Sequence, residues 1–541
     1  MTLETMDPTQ EFEAKLLARM KPLNEVTERG TSAVQQFYSG ATVFLTGGSG
    51  FLGKQLIEKL IRATNISKIF VLLRSKKGKS MQQRLIEMLQ DPLYDLLHEQ
   101  QPDFAEKLVP VSGDVAELRL GLSEEDWNTI TDQVDMVFHL AATTRFDESL
   151  RVATLINIRG TREALILGKA CKNLRSFVYV STAYSQACVD RVDKIVSEKF
   201  YKSPVNPNTM IEIAESVDEG RINNITPNLI NNWPNTYTFA KSIAEELVNT
   251  IGNDLPICVV RPAIVGASKL EPIPGWVDMS CIYGASGLLT GIGLGVIHAC
   301  HAGVMTSLEF VPVDYVNNVI IAAGWETARK RNTGHNKTKI YTVSPSSENY
   351  ITIGNLCKIM ESSALQHPSP MMVTFPFVYF SPYPILFWLY SLLLHLIPAY
   401  IMDGISVILG KKRRFIKLVT KLNKMLSAMS YFLCNEWQFE NQNTSALFRL
   451  LAQDDQEIFS FDIKCIDWTE YITTWVCIGL RKYLVKDGLT GTIYARKKVA
   501  ILRVLGWIAL PLYLYCLYKM VYFTLFTFLC VIRNTTYLTR I

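Results

Sequence analysis

Short apolar runs recur along the first part of the chain, each closed by glycine, serine or a charged residue and followed by residues at helical spacing. Ala41 to Leu45, Lys68 to Leu73, Leu108 to Val111, Asp135 to Leu140 and Ser176 to Val180 read as strands; Lys54 to Arg62 and Tyr237 to Leu247 read as helices. That alternation predicts an α/β fold built on a doubly wound parallel sheet of Rossmann type. The pattern then changes. From Gln366 to Met402 there is no Asp, Glu, Lys or Arg, but prolines interrupt the run. Its longest proline-free piece, Ile385 to Ile397, is shorter than the roughly twenty residues of a spanning helix, so it reads as a buried or interfacial helix, with a span as the alternative. Val504 to Ile532 carries a single charge, Lys519, and is long enough for one tilted span or, given Pro511, a tight hairpin; a core helix is the alternative.

A chain of 541 residues is too long for one core, and a polar, proline-bearing run near Ser362 to Pro370 marks the expected boundary. Charge is uneven: residues 404–541 hold 19 Lys and Arg against 9 Asp and Glu, a balance of +10, which leaves −5 on the first 403. Arg496, Lys497, Lys498 and Arg503 precede the apolar tail, which keeps the preceding domain on the cytosolic side. Lys411-Lys412-Arg413-Arg414 reads as an acidic-lipid patch or an ordinary solvated face. The modest net charge of +5, without any basic-aromatic repeat, gives no reason to expect nucleic acid. The polar first forty residues exclude a cleaved secretory signal, and the scattered cysteines, without C-x-x-C pairs, fit a reducing compartment.

Chemistry enters at Thr46-Gly47-Gly48-Ser49-Gly50-Phe51-Leu52-Gly53, between the first strand and its helix. Gly47, Gly50 and Gly53 let the backbone turn tightly, approach a pyrophosphate and aim helix N-terminal N–H groups at it, so a dinucleotide is expected there. About twenty residues on, where an acidic residue would bind a free 2′-hydroxyl, the second strand ends in Arg74 with Lys76 and Lys77 beyond. Cations there favour a 2′-phosphate and hence NADPH, a solvated basic loop being the alternative. Asp114 stands where an adenine amine would be met, and Ala141 and Ala142 leave room for the dinucleotide; either strand end can equally be plain. His139 reads as a core histidine, since no second ligand stands at metal spacing, and no metal is expected.

Tyr237 and Lys241 lie four apart and so share a helix face, where an ammonium beside a phenol would lower the phenol's pKa. Thr182 or Ser181, at the end of a central strand, would bind the same substrate oxygen. With the glycine turn before them and Val259-Val260-Arg261-Pro262 after, these residues point to an oxidoreductase.

The chain resembles the extended short-chain dehydrogenase/reductases, and within them the fatty acyl-CoA reductases of male-sterility type. Besides the glycine corner and the Tyr-Lys pair, the resemblance rests on Phe37-Tyr38, Phe138-His139-Leu140-Ala141-Ala142, Arg145-Phe146-Asp147-Glu148, Asn157 with Gly160-Thr161, Ser181 to Tyr184, Pro234 to Lys241, Arg261-Pro262, Glu271-Pro272 with Pro274-Gly275-Trp276, and Val311 to Asp314. The Pro- and Asn-rich insert between Ala187 and Asn235 is similar to the insect-like branch. The resemblance implies reduction of a long-chain fatty acyl-CoA by NADPH to aldehyde and onward to alcohol. Tyr237 would be the proton donor, Lys241 would bind ribose and tune it, and Thr182 with Ser181 would hold the carbonyl. Thr46, Gly47, Gly50, Phe51, Leu52, Gly53, Arg74, Lys76, Asp114, Val115, Ala141, Ala142, Asn157, Lys241 and Pro262 would line the cofactor.

No acyl-enzyme is required, so Cys188 is expected to pack rather than react. Met279, Ala285 and Leu294 depart from the family pattern and put in doubt a contact from their loop to coenzyme A. The implied organisation is an N-terminal extension (1–40), an NADP-binding reductase domain (41–365), a smaller helical domain resembling the family's at His395 to Ala399 with Asp403 (366–495), and a membrane anchor and tail (496–541). Expected partners are acyl-CoA and membrane lipid, with a homodimer left open. The expected location is the cytosolic face of the endoplasmic reticulum, with the peroxisomal membrane as alternative, although Leu538-Thr539-Arg540-Ile541 is no Ser-Lys-Leu address. The other readings are a same-fold enzyme that stops at aldehyde or acts on a sterol, and an idle membrane scaffold.

Overall fold

The computed structural model describes residues 6–538 except 20, 76, 77, 333, 335, 336 and 346–348; Lys76 and Lys77 of the basic run thus lie outside the described residues, as do the last three of the chain. Seven strands form the central sheet: β1 (Thr42–Thr46), β2 (Lys68–Leu73), β3 (Leu108–Ser112), β4 (Met136–His139), β5 (Ser176–Val180), β6 (Ile257–Pro262) and β7 (Lys339–Val343). All pairings are parallel, and the order is β7-β6-β5-β4-β1-β2-β3. Because alternate side chains leave opposite faces of a strand, Val43 and Leu45 enter one core and Phe44 the other. Helices α1 (Phe51–Ala63) and α4 (Val313–Asn332) cover the first face, whereas α2 (Gly160–Ala170) and α3 (Thr236–Thr250) cover the second. This is the doubly wound sheet expected from the sequence. Its order reverses between β1 and β4, which opens a crevice at their carboxyl ends.

The polar N-terminus is folded onto this body. Helix Ala33–Tyr38 is capped by Ser32, and the fully buried Tyr38 donates its hydroxyl to the Ile321 carbonyl at 2.8 Å. The helix Ile353–Gln366 runs through the first half of the segment read as a boundary, so the chain turns only at His367. Parts of the later chain dock on the sheet edge: Thr444 and Asn443 donate to the carbonyls of Thr342 (2.7 Å) and Ile340 (2.9 Å) on β7, and Gln438–Phe439 pairs with Ile195–Val196.

Among the described residues two helices are long and apolar enough to cross a membrane, α5 (Pro384–Ile408) and, within α7 (Thr492–Leu538), Thr492–Thr527. The charge-free run is not a buried helix, since Ile385 is 80% and Trp388 63% exposed; the interfacial and spanning readings both fit that exposure. Helix α7 continues unbroken through Pro511 and Lys519, so the tail is one rod and not a hairpin. The Tyr513 hydroxyl donates to the Leu393 carbonyl at 2.7 Å, bracing the two apolar helices together. Helix α6 (Phe415–Cys434) returns from α5 to the sheet; Asp403 ties the turn by accepting from the backbone N–H groups of Arg414, Phe415 and Ile416.

Candidate active site

The glycine corner is shaped by close backbone approach. Gly47 has φ +78°, and a Cβ there would stand 2.7 Å from the Ala141 nitrogen; a Cβ on Gly53 would collide with the Gly47 carbonyl oxygen. Gly50 is the N-cap of α1 and offers no side chain in front of the helix N-terminus, where Phe51 and Leu52 are half-buried. The corner is therefore a bare backbone cradle at the crevice, which fits a dinucleotide pyrophosphate. Phe51 packs on Trp276 at 5.2 Å, and Lys54 pairs with Asp91 (2.9 Å) and Asp278 (2.6 Å). Trp276 and Asp278 of the loop that departs from the family pattern thus brace the start of α1, while Met279 is exposed.

Thr46 closes the far side. Its hydroxyl bonds His139 Nδ1 (2.8 Å) and accepts from the Ala141 N–H (3.2 Å), while His139 Nε2 meets the Thr161 hydroxyl (3.2 Å). Complete burial pushes the imidazole down to about 3, with Lys241 adding to the effect, so His139 is a neutral link between β1, β4 and α2. Asn157 spends its amide on both backbone groups of Thr143, accepting at 2.9 Å and donating at 3.0 Å, and so fixes the loop that carries Ala141 and Ala142. Asp114 accepts from the Ala116 N–H at 3.0 Å, capping its own half-buried turn, and the Val115 carbonyl lies against Gly160. Arg74 is exposed at the end of β2.

Asn235 caps α3 by accepting from the Thr238 N–H (2.9 Å), and Thr236 donates to the Glu148 carbonyl (2.9 Å), so the Pro-Asn-Thr signature sets the start of the helix that carries Tyr237 and Lys241. Tyr237 lies close enough to Thr182 for that hydroxyl to pull its phenol down against the effect of burial, and it stacks on Phe146 at 6.2 Å. Thr182 donates to the Pro262 carbonyl (3.3 Å), joining the ends of β5 and β6. Ser181 points the other way: its hydroxyl donates to Glu245 Oε1 at 2.6 Å. The structure therefore brings Thr182 to the phenol and leaves Ser181 behind it.

Lys241, 2% exposed, donates to the Val180 carbonyl at 2.8 Å and lies over the Tyr179 ring. Among the described residues no hydrogen bond joins it to Tyr237. The lowered phenol expected from the sequence is overturned: burial pushes Tyr237 up to about 12, and the Thr182 hydrogen bond offsets this only in part. A phenol so held keeps its proton near neutrality. Burial also brings the Lys241 ammonium down to about 7 from 10.5, against the opposing pull of Glu245. Between those values the unfolded chain binds more protons, so stability rises with pH across that window, and the penalty of the buried charge is fully present below it. Lys241→Met is expected to flatten the melting temperature's rise between about pH 7 and about pH 10; an unchanged slope would contradict the assignment.

The sequence did not single out Glu245, one turn beyond Lys241. It is 2% exposed and pairs with the buried Arg261 at 2.6 Å, while Ser181 and Ser185 donate to its other oxygen. Its spacing, i+4 from Lys241 on the same helix face, was the available signal. Nor did the sequence bring in α6. Phe432 packs on Phe146 (5.3 Å) and Tyr184 (5.2 Å), so the second half of the chain supplies a wall beside the phenol. Beyond Phe432 the same helix contributes Met429 and Leu433 to a purely apolar cavity of about 30 Å³, shared with Ile264, Leu288 and Phe380. Cys188 is buried and receives the Arg191 guanidinium on its sulfur.

A bare glycine corner at the switch point, with a capped helix that brings tyrosine beside a strand-end threonine and carries a lysine one turn on, defines a nucleotide-dependent oxidoreductase of the short-chain type. Two family models, each described as male sterility protein, match residues 45–320 and 394–487. Fatty acyl-CoA reductase 1 of Xenopus laevis is 36% identical over 475 residues, covering 87% of this chain and 90% of its own. Fatty acyl-CoA reductase wat of Drosophila melanogaster is 34% identical over 482 residues (89% and 91%), and fatty acyl-CoA reductase 1 of Homo sapiens 35% over 474 (87% and 90%). Among solved structures, the terminal R domain from the myxalamid PKS-NRPS biosynthetic pathway aligns with a TM-score of 0.52 at 18% identity, over 85% of this chain and 97% of that one. The reductase domain of a non-ribosomal peptide synthetase from Mycobacterium tuberculosis gives 0.51 at 17%, over 85% and 98%; both likenesses concern the fold alone. The chain belongs to the fatty acyl-CoA reductase family, and its first domain is a nicotinamide-cofactor domain.

Proposed function

We propose that this protein reduces long-chain fatty acyl-CoA to the primary alcohol with NADPH, releasing coenzyme A and passing through the aldehyde. The observation that carries the reading is the approach of Tyr237, near the start of α3, to Thr182 at the end of β5, beside the aromatic wall of Phe146, Tyr184 and Phe432. The cofactor, when bound, supplies hydride. Tyr237 and Thr182 hold the carbonyl oxygen, Tyr237 Oη gives its proton to that oxygen as charge develops, and burial keeps the phenol protonated beforehand. Lys241, on the same helix face, would hold the ribose of the cofactor and would return a proton to the phenol. The corner from Thr46 through Gly53 would receive the pyrophosphate, with Asp114, Val115, Ala141, Ala142 and Pro262 along its walls and Asn157 holding the loop; Arg74 would meet a 2′-phosphate. Ser181 is a positioning residue acting through Glu245.

The acyl chain follows the apolar side chains of α6 from Phe432 to Met429 and Leu433, toward Phe380 at the foot of α5. In this reading the 366–495 segment roofs the chain, and α7 anchors the enzyme on the cytosolic face of the endoplasmic reticulum. Support comes from the Arg496 to Arg503 cations ahead of the exposed apolar rod, and from Lys411 to Arg414, all exposed, beside α5.

The test is stoichiometry with purified full-length protein, NADPH and palmitoyl-CoA. Expected are a 2:1 ratio of NADPH oxidised to thiol released, about the electron count of a full reduction, and hexadecanol as product. A ratio of one with aldehyde would mean arrest at the first step. No thiol release would defeat the acyl-CoA reading.

A further inference from the structure

The insert that leaves the Ser181-Thr182-Ala183-Tyr184 turn builds an open pocket of about 390 Å³, a size that fits a small ligand, and the reduction chemistry at Tyr237 does not use it. Arg191, Lys194 and Lys199 line it with Ser197, Tyr201 and Asp190. Among the described residues none of the three cations pairs with a carboxylate, and the Asp190 carboxylate is engaged by the Asn232 amide at 3.0 Å. The Arg191 guanidinium lies 4.3 Å over the Tyr201 ring, and the Lys199 ammonium 5.4 Å from the same ring's centre. Arg191 spends one donor on the Cys188 sulfur, a weak acceptor, which leaves most of its planar fork free. A guanidinium fork carried on the Tyr201 ring and two ammonium groups, of which Lys194 also donates to the Asp190 carbonyl at 2.8 Å, form a set that receives phosphates.

The pocket is held to the reaction centre by three links. Arg261, whose other partner is Glu245, donates to the carbonyls of Ser197 (3.1 Å) and Lys199 (3.0 Å). Asn232 anchors Asp190 from the stretch that runs directly into Tyr237, and Trp233 donates to the Ser185 carbonyl at 3.1 Å. Val192 and Tyr201 pack on the cluster of Tyr184, Phe432 and Phe146, the last of which stacks on Tyr237. The apolar cavity of Met429 and Leu433 meets the same cluster through Ile264, which lines both. A thioester whose carbonyl lies at Tyr237 would thus have apolar packing on one side and the cationic pocket on the other.

We infer that the Arg191–Lys194–Lys199 pocket, with Tyr201 as its platform, binds the phosphorylated adenosine end of coenzyme A. This rests on the acyl-CoA reading. NADPH carries a similar phosphoadenosine, so the experiment separates the two. The triple variant Arg191→Gln/Lys194→Gln/Lys199→Gln of the full chain is assayed with palmitoyl-CoA, with palmitoyl-pantetheine, which lacks the nucleotide, and with hexadecanal. Expected is a KM for palmitoyl-CoA raised at least about tenfold, as for lost charge-assisted contacts, while kcat and the KM values for palmitoyl-pantetheine, hexadecanal and NADPH stay within about twofold. An unchanged KM for palmitoyl-CoA, an equal rise with palmitoyl-pantetheine, or a rise confined to NADPH would each overturn the assignment. Titration with adenosine 3′,5′-bisphosphate decides independently of turnover. Binding to the unmodified protein that the triple variant loses supports the pocket even if no thioester is reduced, and binding retained by the variant refutes it.

Discussion

Tyr237→Phe is expected to fold, melt and bind NADPH like the unmodified protein, yet to reduce palmitoyl-CoA with kcat lower by roughly 10² to 10⁴, the usual contribution of a positioned general acid. The substitution removes one oxygen and keeps the ring, so the stacking on Phe146 at 6.2 Å and the start of α3, capped by Asn235, are untouched. What is lost is the proton at the point where negative charge develops, and one of the two hydroxyls that hold the carbonyl. Because Thr182 stays anchored on the Pro262 carbonyl, substrate binding should change little, and the effect should fall on kcat rather than KM. Full activity in this variant would remove Tyr237 from the chemistry.

Glu245→Ala is expected to produce the largest loss of stability of any single change near the site, about 3–5 kcal/mol, as for breaking a buried ion pair from one side. Arg261 is 1% exposed, and its guanidinium would keep only the Ser197 and Lys199 carbonyls. Ser181 and Ser185 would lose their acceptor as well, so the turn that sets Thr182 loosens. A melting temperature lower by about 3–7 °C would follow. Replacing the pair together, Glu245→Leu with Arg261→Met, should recover much of that loss, because no charge is then left buried alone. A Glu245→Ala protein that melts within about 2 °C of the unmodified one would show the pair to be dispensable.

The parts of the site that depend on local backbone demands were legible in the sequence. The glycine corner is one: the left-handed φ at Gly47 and the contact of Gly53 with the Gly47 carbonyl are requirements of three nearby residues, which their spacing announces. The strands were legible for a similar reason, being short apolar runs with breakers at each end. Directions of side chains were not. Ser181 and Thr182 are neighbours in extended chain and must point to opposite sides, so only one can meet the phenol, and nothing in their order says which. Helical spacing put Tyr237 and Lys241 on one face, but the lysine's reach to the Val180 carbonyl, and the dominance of burial over charge at Tyr237, needed the third dimension. Asn157 was recognisable as a family residue, yet its use, holding Thr143 through both amide atoms, lies in a contact between distant elements. The same holds for Phe432, whose place beside Phe146 is set by how α6 returns to the sheet. The buried half of the reading for the charge-free run failed because composition alone treats a core helix and an exposed apolar one alike.

If hydride reaches the thioester carbon beside Thr182 and Tyr237, and then the aldehyde at the same place, it would leave a permanent mark. Full-length protein given palmitoyl-CoA and NADPH deuterated at the transferred position should yield hexadecanol with both C1 hydrogens replaced by deuterium, read by mass spectrometry, and Tyr237→Phe should suppress that product. Hexadecanol without deuterium at C1, or palmitoyl-CoA returned intact while the cofactor is bound, would contradict the account.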